Sequence, residues 1–209
     1  DRVCAYAAFA PLLTMDTPEF TAVCVLADKE EIGSEGNTGM QSAYLKYFIA
    51  DIAAALTALG VSVLVITDEP AFSIVSDVVC YRAPKAKLMM LPKTDTGDFI
   101  RNCIKTFAPT HLISLERPGK AANGHYHSMR GEVLDDMITD SALFLSEAKK
   151  SGATTISIGD GGNEMGMGTY RDVIEHFVPF GGTICTAESA DITLASGVSN
   201  WWGIGIAAL

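Results

Sequence analysis

The stretch TTISIGDGGNEMGMG, Thr154–Gly168, decides the fold because it joins a buried strand to a glycine-rich loop. Its first part, Thr154–Ile158, is β-rich and does not alternate apolar with charged residues, the pattern of a strand covered on both faces in a parallel sheet. Glycines crowd the segment that follows, with acidic and amide side chains among them. In an open α/β sheet, ligands bind at the loops after the carboxyl ends of strands. The stretch therefore predicts a parallel sheet with a small-molecule site.

Similar strand-like runs occur on both sides of this stretch. We predict strands at Thr21–Ala27, Val61–Thr67, Lys87–Leu91, Thr110–Leu115, Thr154–Ile158 and Thr183–Thr186. Ligand-binding loops are expected after four of them. These loops follow Ala27, Thr67, Leu115 and Ile158.

Segments with apolar residues at helical spacing lie between the predicted strands. We predict helices at Arg2–Leu13, Met40–Leu59, Asp98–Phe107, Leu134–Lys150 and Tyr170–Phe177. Strands that alternate with helices favour one α/β domain over residues 1–209. We expect an open, mostly parallel sheet with helices on both faces, a Rossmann-like three-layer architecture.

Charge and composition exclude some classes of partner. The chain has 209 residues with a net charge of −10, and its 15 Lys and Arg are scattered among 25 Asp and Glu, so no nucleic-acid-binding face is expected. The most apolar stretch, Phe48–Thr67, is interrupted by Asp51 and Gly60. It is typical of a helix end, a turn and a buried strand, so no membrane partner is expected.

Cysteine usage and the start of the sequence bear on location. The five cysteines include no C-x-x-C pair, which indicates free thiols in a reducing compartment. No signal-peptide pattern is visible, and we predict a cytoplasmic location. A homo-oligomer is compatible with the sequence, although nothing in it fixes the oligomeric state.

The N-terminal quarter contains DRVCAYAA, Asp1–Ala8, and TAVCVLADKEEIGSEGNTGMQS, Thr21–Ser42. With these motifs, residues 1–54 resemble the M18 family of zinc aminopeptidases. The resemblance implies that Glu30 is a general base and Glu31 a zinc ligand. The family also uses histidine ligands, but the histidines here all lie outside the similar segment. We therefore interpret the segment as a helix, a strand and a second helix of the sheet, with a zinc peptidase remnant as the alternative.

Three later stretches carry a second resemblance. They are THLISLERPGKAANGHYHSMRG (Thr110–Gly131), SIGDGGNEMGMG (Ser157–Gly168) and ADITLASGVSNWWG (Ala190–Gly203). Through them, residues 55–209 resemble the C-terminal domain of D-glutamate cyclase. The resemblance implies a lyase that converts D-glutamate to 5-oxo-D-proline with loss of water. In its relatives an acidic loop rich in Gly and Pro precedes the helix at Ile52–Leu59, whereas peptidase-like sequence occupies that place here.

The glycine-rich loop has chemistry that can be described without the family. Its glycines free consecutive backbone N–H groups to face an anion. The candidate binding groups of this loop are Gly161, Gly162 and Asn163. Asp160 and Glu164 add carboxylates, which suit catalysis or a divalent ion such as Mg or Mn. The glycine spacing matches neither a Walker loop nor a dinucleotide fingerprint.

Charged side chains also follow the predicted strand Thr110–Leu115. Glu116 comes first, and cations that suit a substrate carboxylate follow it. The candidate binding residues outside the glycine loop are Arg117, Lys120, Arg130, Ser199 and Asn200. His125 and His127 are either solvated loop residues or metal ligands.

For the amino-acid cyclisation that the resemblance implies, the candidate residues suggest a general mechanism. Glu116 or Asp160 removes a proton from the α-amine, and Glu164 protonates the oxygen that leaves. Either the loop N–H groups or a divalent ion on Asp160 and Glu164 stabilises the oxyanion. A non-catalytic module that binds an amino acid or a nucleotide through the same loop is the alternative from another class.

Overall fold

The structure is a computed structural model, and it describes residues 44–196. Two predicted elements and four candidate site residues lie outside these residues. They are Arg2–Leu13, Thr21–Ala27, Glu30, Glu31, Ser199 and Asn200.

Helices and strands follow one another along the described chain. In chain order they are α1 (Tyr44–Ala58), β1 (Leu64–Asp68), α2 (Glu69–Arg82), β2 (Lys87–Leu91), α3 (Thr96–Phe107), β3 (His111–Leu115), α4 (Leu143–Lys150), β4 (Thr154–Gly159), a 3-10 turn (Gly168–Tyr170), α5 (Arg171–Phe177), α6 (Gly181–Ile184) and β5 (Ile192–Ala195). Mixed helices and parallel strands in open sheets confirm the α/β class and are consistent with a three-layer arrangement.

Within residues 44–196, strand β4 lies in the middle of a parallel sheet with the strand order β3-β4-β5. Ile113 pairs with Ile156 on one side, and Ile158 pairs with Leu194 on the other. Thr155 and the last three residues of β4, Ser157–Gly159, are buried, whereas Thr154 and Ile156 are partly exposed. Because Leu115 lies opposite Ile158, the loops after β3 and β4 begin side by side.

The described chain divides into two compact units. Residues 44–65 and 74–88 belong to the first unit, in which α1 buries Ala50 and Ala53. Residues 66–73 and 89–196 belong to the second, whose core includes Ile100 and Ile104 of α3 and Leu145 of α4. Burial of each such side chain contributes about 1.5–3 kcal/mol. Both loops of the candidate site belong to the second unit.

The apolar stretch Phe48–Thr67 has the arrangement that its interruptions predict. Helix α1 ends at Ala58, a turn follows, and β1 begins at Leu64. No helix in residues 44–196 is both long and apolar enough to cross a membrane.

Several predicted elements are wrong or incomplete. The predicted strand Thr183–Thr186 is wrong, because the short helix Gly181–Ile184 ends within it and β5 lies at Ile192–Ala195. The predicted helix Leu134–Lys150 begins only at Leu143. Upstream, the backbone turns and Asp135 and Asp140 accept hydrogen bonds from Tyr126.

Helix α2 was not predicted. It contains Ile74, Val75, Val78 and Val79, β-branched residues that favour strands. Tertiary packing overrides this preference, since Val75 and Val79 are buried.

Candidate active site

Three carboxylates meet where the loops after β3 and β4 begin. Glu116 directly follows β3, Asp160 directly follows β4, and Glu164 lies four residues farther on. One oxygen from each lies within 4.8 Å of the others, and the group ranges from exposed Asp160 to buried Glu164. Like charges this close favour the binding of a cation. The sequence predicted all three residues, and we call them the carboxylate group.

Glu164 accepts hydrogen bonds from the glycine-rich loop itself. Its Oε1 accepts from the backbone N–H groups of Asp160 (3.3 Å) and Gly161 (3.0 Å), and Oε2 accepts from Gly162 (2.8 Å). The amides predicted to face a bound anion thus already have a carboxylate of the chain as acceptor. Substrate binding by Gly161 and Gly162 stays a prediction.

Close packing explains part of the glycine content of this loop. A Cβ at Gly159 would lie 2.7 Å from Oε2 of Glu164. Gly162 has φ +96°, and a Cβ there would lie 2.8 Å from the side chain of Ile174. Both positions therefore require glycine for space or conformation, independently of any ligand.

Backbone contacts join the two loops. Pro118 forms an antiparallel bridge with Glu164, and Gly119 N–H donates to the carbonyl of Asn163 at 2.8 Å. The buried side chain of Asn163 donates to the carbonyl of His127 at 2.8 Å. The two motifs that the sequence singled out are thus held together as one structural unit.

Arg117 is held by three groups of the chain. Nη1 lies 2.5 Å from Oδ2 of Asp68, Nη2 donates to the carbonyl of Thr139, and Nε donates to Oγ of Ser141 at 3.0 Å. Sequence reasoning did not single out Asp68. The available signal was its position directly after Thr67, at a strand end where a ligand-binding loop was expected.

Lys120 belongs to a second polar network. Its Nζ lies 2.5 Å from Oδ2 of Asp140, whose Oδ1 accepts from the hydroxyl of Tyr126 at 2.8 Å. Burial, and then the hydrogen bond to Asp140, raises the pKa of Tyr126 to about 12. Burial alone would raise the pKa of Asp140, but hydrogen bonds from Lys120 and Tyr126 lower it below the usual value. Lys120 is therefore a tethered cation.

Arg130 differs from the other two candidate cations. It is exposed and forms no ion pair within residues 44–196. Its neighbour Met129 packs against the glycine-rich loop, since a Cβ at Gly161 would lie 2.1 Å from Met129 Sδ. Arg130 thus belongs to a segment that contacts the loop.

The two loop histidines have partners of their own. His125 Nδ1 lies 2.6 Å from Oδ2 of Asp135, and this hydrogen bond is the main cause of the lowered pKa of Asp135. His127 is buried, with its ring nitrogens near Asn123 (2.9 Å) and the carbonyl of Gly131 (3.2 Å). These contacts support a structural role for His127 rather than metal chelation.

Comparison with known proteins agrees with both resemblances. The family profile described as D-glutamate cyclase-like, C-terminal, matches residues 49–209. A profile described as Aminopeptidase I zinc metalloprotease (M18) matches residues 1–86. The change of resemblance expected near residue 54 lies within the overlap of the two matches.

Curated relatives match shorter segments. Human mitochondrial D-glutamate cyclase is 39% identical over 100 residues, which cover 46% of this chain and 16% of the relative. The probable M18 family aminopeptidase 1 of Borrelia garinii subsp. bavariensis is 49% identical over 53 residues, covering 25% and 12%. Its counterpart in Clostridium acetobutylicum is 48% identical over 52 residues, covering 25% and 11%.

These matches span about a sixth of the human relative's length and about an eighth of the Borrelia aminopeptidase's. The cyclase-like profile, in contrast, covers most of this chain, including the carboxylate group and both loops that build it. The chain belongs to the D-glutamate cyclase-like, C-terminal family.

Proposed function

We propose that the chain is a lyase that closes D-glutamate to 5-oxo-D-proline and releases water. The observation that carries the proposal is the carboxylate group, formed by Glu116, Asp160 and Glu164 at two adjoining strand ends. Family membership and the name of the human relative support the substrate. The group suits this substrate because an α-ammonium is attracted to clustered carboxylates.

The reaction requires proton transfers that balance within the substrate. The α-nitrogen forms a bond to the γ-carboxyl carbon, and one carbon–oxygen bond of that carboxyl breaks. The ammonium loses two protons in becoming an amide N–H, and the leaving oxygen takes two protons to become water. A carboxylate that accepts a proton from nitrogen and returns it to oxygen is therefore sufficient, and the protein needs no net proton source.

We assign the proton transfers to Asp160 and Glu116. Asp160 is exposed and can meet a substrate from solvent, and Glu116 is partly exposed beside it. Glu164 is less suited to the acid role that the sequence suggested, because three backbone N–H groups donate to its oxygens. In this proposal Glu164 shapes the loop and adds negative charge to the site.

The substrate's two carboxylates need positive partners. Lys120 and Arg130 are the proposed cations, and the exposed Arg130 suits a bidentate contact with the α-carboxylate. The oxygen ligands of the carboxylate group also fit a hard divalent ion such as Mg or Mn. Such an ion, when bound, would reduce the negative charge on the γ-carboxyl and make its carbon more reactive.

Incubation with each enantiomer tests the proposal. D-glutamate or L-glutamate is supplied with Mg or Mn, and 5-oxoproline is followed by chiral chromatography. The expected result is 5-oxo-D-proline from D-glutamate and no product from L-glutamate. Absence of product with both metals, while an amino acid still raises the melting temperature, would favour a non-catalytic binding module instead.

A zinc aminopeptidase is the second candidate because the M18 profile matches residues 1–86. It requires Glu30 and Glu31 to work with zinc, and it predicts release of N-terminal Asp or Glu from peptides. Metal content distinguishes the candidates, since two tightly bound zinc ions would favour the peptidase. Glu30→Gln would abolish peptide hydrolysis and leave cyclisation unchanged.

The cytoplasmic location and the homo-oligomeric state of this chain stay predictions. The human relative's name places that relative in mitochondria.

A further inference from the structure

Glu116 has a backbone conformation that side chains disfavour. Its φ of 54° lies in the left-handed region, which residues with a Cβ rarely adopt. The amino side of Glu116 is fixed to β4, because its backbone N–H donates to the carbonyl of Ile158 at 3.1 Å. Such a conformation persists where surrounding contacts fix both sides of the residue. The next residue along the chain must therefore be fixed as well.

Arg117 is fixed through its main chain and its side chain. Its carbonyl accepts from Met165 N–H at 2.7 Å, and Pro118 after it restricts its backbone to extended conformations. The guanidinium and the Asp68 carboxylate form an ion pair at 2.5 Å, with 23% and 13% of the side chains exposed. A pair this sheltered from water is screened less than a surface pair.

The ion pair also ties together distant parts of the sequence. Oδ2 of Asp68 accepts from Arg117 and, at 3.4 Å, from the N–H group of Thr139. Asp68 is the last residue of β1 and belongs to the same compact unit as Arg117 and Thr139. An arginine with every nitrogen occupied in this way is better suited to fixing the backbone than to binding a mobile substrate.

We propose that Arg117 is a positioning residue that holds Glu116 in its left-handed conformation, and that Asp68 fixes Arg117 in this role. The ion pair between Asp68 and Arg117 thereby keeps the Glu116 carboxylate close to Asp160 and Glu164. The consequence for turnover rests on the proposed function, whereas the conformational coupling does not. The inference replaces substrate binding by Arg117, which the sequence had suggested.

A double-mutant cycle on melting temperature tests the coupling without substrate or metal. Glu116→Gly relieves the backbone strain, and Glu116→Gln is its matched control because it removes the same charge but keeps a side chain. The difference in melting temperature between these two variants measures the strain. It is determined in the native background and again with Asp68→Ala. Any effect of glycine on the unfolded chain is common to both backgrounds and cancels.

The expected result is that the difference shrinks by about 2–4 °C in the Asp68→Ala background, because a released residue 116 can leave the left-handed region. An unchanged difference would overturn the positioning role. Asp68→Asn takes the place of Asp68→Ala if the latter does not fold. Asp98→Asn, which loses an exposed ion pair on α3, is the control background and should leave the difference as in the native chain.

The two proposals fail in different ways. If Asp68 and residue 116 are coupled in melting temperature but D-glutamate is not converted, the proposed function is wrong and the positioning role stands. Conversion without coupling would remove the positioning role and keep the function.

Discussion

The two ends of strand β4 use acidic residues in different ways. At the amino end, Asp191 accepts from Thr155 N–H at 2.8 Å and from Thr155 Oγ1 at 2.7 Å, and Lys149 Nζ lies 3.6 Å from its other oxygen. These hydrogen bonds from Thr155 are the main cause of the lowered pKa of Asp191. At the carboxyl end, three carboxylates share one small volume.

This difference shows why residue type alone does not identify a functional site. A single carboxylate with matched local donors stabilises the end of a strand. A group of carboxylates raises the local negative potential and attracts a cationic ligand. Their grouping, set by the pairing of β3 with β4, is what distinguishes the candidate site.

The largest expected effect separates the two ends directly. Asp160→Asn should reduce D-glutamate turnover by about 10²–10⁴-fold, because it removes a proposed proton acceptor while keeping the side-chain shape. Asp191→Asn is the matched control. It should lower the melting temperature, because the Thr155 contacts weaken, and leave turnover near the native value. If only Asp191→Asn loses turnover, the chemistry takes place at the amino end of β4 and not at the carboxylate group.

The next effect concerns Arg117. Arg117→Lys cannot keep all three contacts, so Glu116 should shift and kcat should fall by up to about 100-fold. KM for D-glutamate should stay within about twofold, since a positioning residue does not touch the substrate. Steady-state kinetics measure both parameters. A large rise in KM with kcat unchanged would return Arg117 to the role of a substrate ligand.

A stability effect tests whether the glycine-rich loop is shaped by packing. Gly162→Ala places a Cβ 2.8 Å from Ile174 at a φ of +96°, so it should destabilise the fold by about 1–3 kcal/mol. Gly182→Ala is the control, because nothing lies within 4 Å of its added Cβ. Urea denaturation measures both variants. Equal stability of the two would show that packing does not require glycine at 162.

The smallest expected effect is a pH dependence of the melting temperature that arises from Tyr126. Its pKa rises from 10.0 to about 12 in the fold, so the fold favours the neutral phenol. This contribution to stability is complete below pH 10 and is lost as pH rises toward 12. Melting temperature should therefore fall across this range, and Tyr126→Phe should flatten the fall. Tyr170→Phe, which alters an exposed tyrosine, should leave the slope unchanged.

Local sequence was sufficient for the elements that have strong and simple patterns. Strand β4 was predicted because its segment is β-rich and does not alternate apolar with charged residues. Helix α3 was predicted because its apolar residues recur at helical spacing. The three members of the carboxylate group were singled out because they follow two predicted strands. Parallel strands bring their carboxyl ends to the same edge, which accounts for the short distances among these side chains. Their catalytic roles stay predictions.

Local sequence patterns could not predict contacts between residues that are far apart in the chain. The segment before α4 has a helical pattern, yet Asp140 there accepts from Tyr126 and Lys120. The pairing of Asp68 with Arg117 joins residues far apart in the chain, and no local pattern distinguishes Arg117 from the exposed Arg130. The use of loop amides by Glu164 likewise depends on the fold of the loop.

The most direct measurement follows the fate of oxygen during turnover. D-glutamate labelled with ¹⁸O at both γ-carboxyl oxygens is incubated with the chain and Mg or Mn, and the product is analysed by mass spectrometry. Cyclisation through the γ-carboxyl predicts 5-oxo-D-proline that keeps one label while the other leaves as water, at a rate that Asp160→Asn sharply reduces. Absence of product, or equal product from the native chain and the variant, would contradict a cyclase site at the carboxylate group.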